Sequence, residues 1–510
     1  MAGGLALYHV LGVASCVALL YFTLGGVDLR HISLPSLPGS GLDSVSVSWP
    51  SSRPAALTAA FVERRGAQLF LNGQPFYPNG WNSYWLMDQA VEPRSRNRVS
   101  RMFQAAAEMG LTVCRSWAFN DGAYNALQVS PGHFDERVFK ALDRVVVEAG
   151  RHGVRLILSL ANNLEAYGGK TQYVRWAWEE GVGLSASNDS FFFDPAIRDY
   201  FKVYLKVGQL SHTHSWCRLT NRVASHHGGG ESEIWGVSVV TSQKGLTPGR
   251  LTLFCAQTLL TRKNHLTGVE YRDDPTILAW ELMNEPRCTT DPSGDTLQRW
   301  IEEMAAYVKS IDKKHLLTVG LEGFYGPSSP QSKLNVNPGV WKDNNYGSDF
   351  IRNAKSPDID FASIHLYPDT WLLKQHATVD EKLKFVKQWV ASHFEDGDKE
   401  LGKPVLATEF GLSRRAQGFD PSHRDVFYKA IYDIVYRSAV RGGAGAAAFV
   451  WQLAPEGMEE FHDDYSVVPS EHPSLRRLIK AQSCRLAKLH PDAGEEAKRA
   501  LKACSAAGSS

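Results

Sequence analysis

The chain has 510 residues, 43% of them hydrophobic and 21% charged, with 55 Lys and Arg set against 54 Asp and Glu. This composition supports a large buried core and excludes a disordered chain. A formal net charge of +1 removes the electrostatic ground for a nucleic-acid or strongly acidic partner.

From Leu5 to Val27 no side chain carries a formal charge. The run is long for the apolar region of a signal peptide and about long enough to span a bilayer. Residues 1–29 therefore read as a cleaved signal or as an uncleaved anchor, and both send the remaining chain into the secretory pathway. The Ser-, Pro- and Leu-rich stretch that follows, residues 30–60, reads as a flexible spacer. Seven cysteines are too few to build a disulfide scaffold, and their spacings do not resemble a metal knuckle. One disulfide suits an oxidising compartment, and its pairing stays open. Asn188-Asp189-Ser190 is an N-glycosylation triplet, a pattern that also arises by chance.

Past Phe61 short apolar runs alternate with longer amphipathic stretches. The runs are Phe76 to Asn82, Thr112 to Phe119, Val154 to Asn162, Ile277 to Glu285, Leu316 to Glu322, Phe361 to Tyr367, Pro404 to Phe410 and Ala444 to Trp451. Between them lie helical patterns such as Asp295 to Ile311, where Leu297, Ile301, Met304, Val308 and Ile311 recur at helical spacing. Strands buried on both faces and separated by helices predict a parallel sheet, and eight such units predict a closed (β/α)8 barrel. A doubly wound sheet is disfavoured because no Gly-rich phosphate loop follows the first run.

Each run ends in polar groups: Asn82, Arg115 with Trp117, Asn162-Asn163, Asn284-Glu285, Glu322, His365 with Tyr367, Glu409 and Trp451. In a barrel these ends meet at one mouth, where active sites sit. Any one of them alone reads as a solvated or structural group; together they describe a site. Glu285 and Glu409 end the fourth and seventh runs, across the mouth from each other. Paired carboxylates without a metal-ligand cluster suit glycoside hydrolysis, retaining or inverting according to their separation. Neighbouring carboxylates repel, so one should hold a proton while an Arg keeps the other ionised, and Arg115 is the candidate. Glu281, four residues before Glu285, is expected deeper in the barrel as a buried structural acid.

The ordered segments Gly80 to Leu86, Cys114 to Gly122, Tyr271 to Thr276, Trp280 to Pro286, Gly320 to Gly326, Ile364 to Pro368 and Thr408 to Gly411 resemble the endo-β-1,4-mannanases of glycoside hydrolase family 5, of the plant or algal type. The resemblance implies a single barrel domain over residues 61–490. It makes Glu285 the acid/base and Glu409 the nucleophile of a retaining double displacement. It also implies that Asn284 binds the sugar 2-hydroxyl, Arg115 and Tyr367 hold Glu409, His365 tunes Glu285 and Trp451 forms a stacking floor. Trp85, Trp117, Asn163 and Glu322 would line the cleft. It implies no cofactor or metal, and a monomer acting on β-mannan polysaccharides. A membrane enters only if residues 5–27 stay uncleaved, anchoring the chain in the Golgi or plasma membrane; otherwise it is secreted to the cell wall. A β-1,4-glucanase of the same family and a catalytically silent mannan-binding protein are the alternatives.

One segment departs from this pattern. A helix is expected from Asp194, with Pro195 in its first turn and Ile197, Tyr200, Phe201, Tyr204 and Leu205 on one apolar face. Residues 207–257 then run rich in Gly, Ser and His without sustained periodicity. Without them, Leu259 and Leu260 resume the stripe in register. The segment begins with Val, whose codons start GT, and ends with Gln, one of whose codons is CAG, as a translated, unspliced intron or a gene-model error would leave it. Its histidines lack the marks of an ordered metal site. Residues 491–510 form a disordered or helical tail.

Overall fold

The apolar runs become eight short strands: β1 (Asn79–Asn82), β2 (Val113–Trp117), β3 (Arg155–Ser159), β4 (Ile277–Glu281), β5 (Leu316–Thr318), β6 (Ala362–Leu366), β7 (Val405–Phe410) and β8 (Gly445–Val450). All of their residues are buried, as strands covered on both faces require. The computed structural model describes residues 60–122, 124–183, 187–206, 258–339, 346–372, 377–416, 418–490 and 495–505. The expected leader and nearly all of the spacer, and the whole insertion at 207–257, lie outside the described residues.

The strands pair in parallel in the order β5-β4-β3-β2-β1-β8-β7-β6. Between β5 and β6 the ring is bridged by Asp360 N–H donating to the Leu317 carbonyl at 2.8 Å and His365 N–H donating to the Glu322 carbonyl at 2.9 Å. The eight strands thus form a (β/α)8 barrel. Its outer helices are α1 (Arg96–Glu108), α2 (Glu136–Arg151), α3 (Pro195–Leu205), α4 (Asp295–Ile311), α5 (Phe350–Ala354), α6 (Val379–Asp396), α7 (Pro421–Val440) and α8 (Pro473–Ala487). In α4 the predicted stripe of Leu297, Ile301, Met304, Val308 and Ile311 is the buried face.

An N-terminal meander of Glu63–Arg65, Gln68–Leu71 and Gln74–Pro75 closes the barrel floor. Its Leu69 and Leu71 join Val113, Ile157, Leu278, Leu406 and Phe449 in one buried cluster. Each leucine so buried contributes about 2 kcal/mol. Beside the meander, Cys484 of α8 is joined by a disulfide to Cys504 on a terminal helix, Glu495–Ser505.

The helix α3 starts as its sequence predicts. Asp194 caps it by accepting from the Ala196 and Ile197 amides, and Pro195 occupies the first turn. It ends at Leu205 and is not resumed. Thr258 is extended and Leu259–Thr261 make a single 3-10 turn, with Leu259 and Leu260 fully buried against α3. The two leucines keep their places in the core while the helical backbone expected there does not form. A hub on α2 anchors the returning chain. The buried Asp143 accepts from Arg262 at 2.7 Å, His265 at 2.6 Å and Tyr271 at 2.6 Å, and its carbonyl accepts from Asn264 at 3.1 Å.

Candidate active site

The C-terminal strand ends converge on a buried polar cluster whose organiser is Arg115, on β2. All five guanidinium donors are used. Nε donates to Glu281 Oε2 at 2.9 Å and Nη2 to Glu281 Oε1 at 2.6 Å, the second Nη2 proton goes to Asn284 Oδ1 at 2.7 Å, and Nη1 reaches Glu409 Oε1 at 2.6 Å and Asn82 Oδ1 at 3.0 Å. One side chain therefore ties β1, β2, β4 and β7 together. Glu281 is fully buried beneath the mouth, as its position in the sequence suggested.

Beyond Glu281 the regular strand stops, four residues short of the end its apolar run suggested. Residues 282–285 stay bonded to both neighbours: the Leu282, Met283 and Glu285 amides donate to the carbonyls of Thr318, Val319 and Gly320, and the Asn284 amide to that of Ala161. Glu285 then adopts a left-handed backbone with φ of 51°. A non-glycine residue held there costs about 1–3 kcal/mol, strain that collects at functional sites. Gly320 makes the close approach possible, since a Cβ on it would lie 2.0 Å from the Met283 carbonyl oxygen.

Glu285, His365 and Glu409 face one another, with one ligating atom of each within 4.8 Å of the others. His365 Nδ1 is 2.8 Å from Glu285 Oε1 and 3.5 Å from Glu409 Oε2. The Tyr367 hydroxyl donates to Glu409 Oε2 at 2.5 Å. Asn284 donates through Nδ2 to Asn162 Oδ1 at 3.1 Å. Arg287, which the sequence reading passed over, donates from Nε and Nη2 to the two oxygens of Glu322 at 2.7 Å each and stands 3.6 Å from Glu285 Oε2. Its available signal was its place two residues after Glu285.

The aromatic residues sort differently from expectation. Trp451 anchors its indole N–H on Asp463 Oδ2 at 2.8 Å, and Tyr84 stacks on it with centroids 5.9 Å apart. Trp117 lies 6.2 Å from Trp451 and under the Arg115 guanidinium. Trp85 does not line the cleft. It directly precedes the helix Leu86–Val91 and is 0% exposed, packed into the core beside Phe461. Its neighbour Tyr84 occupies the position expected of it, because adjacent side chains leave the backbone in different directions. Asn163 accepts from the Arg287 backbone amide at 3.3 Å, so its Oδ1 is engaged in holding the β4 loop.

Burial pushes Glu409 up; the charges of His365 and Arg115 oppose this, the Glu285 charge adds to it, and the net direction is upward. Burial acts on Glu285 in the same sense, but the bond and charge of His365, with those of Arg287 and Arg115, outweigh it and leave Glu285 below its ordinary value. For His365 burial lowers the value and the two carboxylates more than offset it, so its pKa is raised. The expectation that the acid beside Arg115 is the readily ionised one is therefore reversed. Glu409 is the more deeply buried, at 3% exposed against 9%, and it shares the Arg115 charge with Glu281. His365 lies between the carboxylates, whose charges favour its protonated form. Burial, then the Glu285 charge, push Glu322 up to about 7 against the pull of Arg287.

Comparison with known proteins places the barrel in a family. The family model described as GH family 5 beta-mannosidase-like matches residues 59–222 and 252–464, leaving 223–251, inside the expected insertion, unmatched. Mannan endo-1,4-beta-mannosidase 2 of Oryza sativa subsp. japonica is 66% identical over 503 residues, covering 98% of this chain and 99% of its own. Mannan endo-1,4-beta-mannosidase 2 of Arabidopsis thaliana is 55% identical, with 94% and 93% covered. Among solved structures, the hyperthermostable endo-1,4-beta-D-mannanase of Thermotoga petrophila RKU-1 superposes with a TM-score of 0.60 at 27% identity, covering 80% of this chain and 99% of that one. With its barrel and its two opposed glutamates, the chain belongs to the β-mannosidase-like enzymes of glycoside hydrolase family 5.

Proposed function

We infer that the chain is a retaining endo-β-1,4-mannanase that cleaves internal bonds of mannan, glucomannan and galactomannan. The observation that carries this is the approach of a Glu285 oxygen to within 4.8 Å of a Glu409 oxygen. Retaining glycosidases hold their carboxyl groups ~5–5.5 Å apart, whereas inverting ones leave room for a water.

In the first step Glu409 attacks the anomeric carbon as the glycosidic C–O bond breaks, and Glu285 delivers a proton to the departing oxygen. In the second, Glu285 takes a proton from water, whose oxygen displaces Glu409 from the same carbon. Arg115 and Tyr367 hold Glu409 for attack. His365 is the proton reservoir: its Nδ1 proton passes to Glu285 when the negative charge of Glu409 is consumed by the new bond. Asn284 has Oδ1 on Arg115 and one amide proton on Asn162, so its second amide proton is available to the sugar 2-hydroxyl. Trp451, braced by Asp463 and Tyr84, supplies the flat floor.

Reducing-end release from konjac glucomannan, compared with carboxymethylcellulose, tests the reading. Release from the mannan substrate should be lost in Glu409→Gln. Cleavage of carboxymethylcellulose alone would transfer the chain to the β-glucanases, and no cleavage of either would leave a silent binder. Residues 5–27 would deliver the enzyme to the secretory pathway and the cell wall, which a fluorescent fusion to the native N-terminus can locate.

A further inference from the structure

We propose that Asn188 carries an N-linked glycan whose core rests on Trp178; the proposal relies on the reading that the chain enters the secretory pathway. Asn188-Asp189-Ser190 is an acceptor triplet, and the fold displays it in a specific way. Asp189 is turned inward, where its carboxylate accepts from Lys170 Nζ at 2.6 Å, the Thr289 hydroxyl at 3.2 Å and the Thr290 amide at 2.9 Å. With its middle residue pinned, the turn leaves Asn188 exposed, its Nδ2 donating to the Thr171 hydroxyl at 3.1 Å.

Thr171 belongs to the helix Gly169–Glu179, which buries Tyr173, Val174, Trp176 and Ala177. Its outward residues Thr171, Arg175 and Trp178 follow at i, i+4 and i+7, one stripe leading away from Asn188. Trp178 is 57% exposed, an unusual amount of indole to leave in water. The C–H face of an N-acetylhexosamine is a natural cover for such a ring.

The modification joins Asn188 Nδ2 to the anomeric carbon of a polyprenyl-diphosphate-linked oligosaccharide. The N–C bond forms, the C–O bond to the diphosphate breaks, the diphosphate leaves with the electron pair, and Nδ2 loses one proton.

The full chain expressed behind a foreign secretion leader enters the pathway whether or not residues 5–27 do so themselves. Its mass should fall by one glycan on treatment with peptide N-glycosidase, and Asn188→Gln should abolish the fall while leaving mannan cleavage unchanged. A secreted chain with unmodified Asn188 overturns the proposal. The platform is tested by a double-mutant cycle. Trp178→Ala should lower the melting temperature of the glycosylated chain by about 2 °C or more and leave Asn188→Gln unmoved. Equal shifts in both backgrounds would show that the glycan does not touch the indole. Failure of the chain's own leader, or of mannan cleavage, is read separately from the fusion and the activity assay.

Discussion

Replacing Arg115 by Lys keeps the positive charge and removes the fork, which makes it the sharpest probe of how the mouth is held. The guanidinium makes five bonds within 3.0 Å to Glu281, Glu409, Asn284 and Asn82. A lysine offers three protons from one nitrogen, so at least two of those bonds are lost. Bonds to charged partners are worth about 1.5–3 kcal/mol each, which sets the expected destabilisation at about 3–6 kcal/mol. Arg115→Met should be at least as damaging, since Glu281 is then buried without a cation and Glu409 keeps only His365 beside it. The measurement is the urea unfolding midpoint, read beside kcat on glucomannan. Catalysis should fall about 100-fold or more in the lysine variant, because Glu409 and Asn284 lose their common support. A lysine variant within about 1 kcal/mol of the parent (the typical net worth of one neutral hydrogen bond) and with kcat nearly unchanged would refute the claim that the fork organises the site.

Glu322→Gln should move the alkaline limb of kcat/KM to lower pH. Glu322, held up at about 7, becomes negative as pH rises and helps His365 hold the proton it passes to Glu285, and the amide cannot; an unmoved or alkaline-shifted limb counts against this. Gly320→Ala should cost more than about 2 kcal/mol and most of the activity, because its Cβ would collide with the Met283 carbonyl and displace Glu285; circular-dichroism melting and kcat check it. Cys504→Ser frees the terminal helix from α8 and should lower stability by about 3 kcal/mol, the entropy of a loop of this length, with hydrogen exchange rising first in residues 495–505. Deleting residues 207–257 and joining Lys206 to Thr258 connects segments that already pack together, and relieves a loop-closure cost on the order of 3 kcal/mol; a deleted chain that melts no higher than the parent would oppose the idea that the segment is an intrusion.

The linear sequence determined the barrel, because eight runs apolar on both faces and separated by amphipathic helices have few other ways to be buried. It also located the chemistry, since strand ends such as Asn284-Glu285 and Glu409 meet at one mouth in any closed parallel ring. What it did not determine is what each side chain meets there. The choice of Tyr84 over Trp85 beside Trp451, the grip of Arg287 on Glu322, the termination of β4 before Glu285 and the drift of the proton toward His365 were decided by tertiary structure. These depend on rotamers, on burial depth and on charges brought together from residues such as Arg115 and Glu409, far apart along the chain. Periodicity records which face of an element is buried; it carries no term for the distance between groups on different strands.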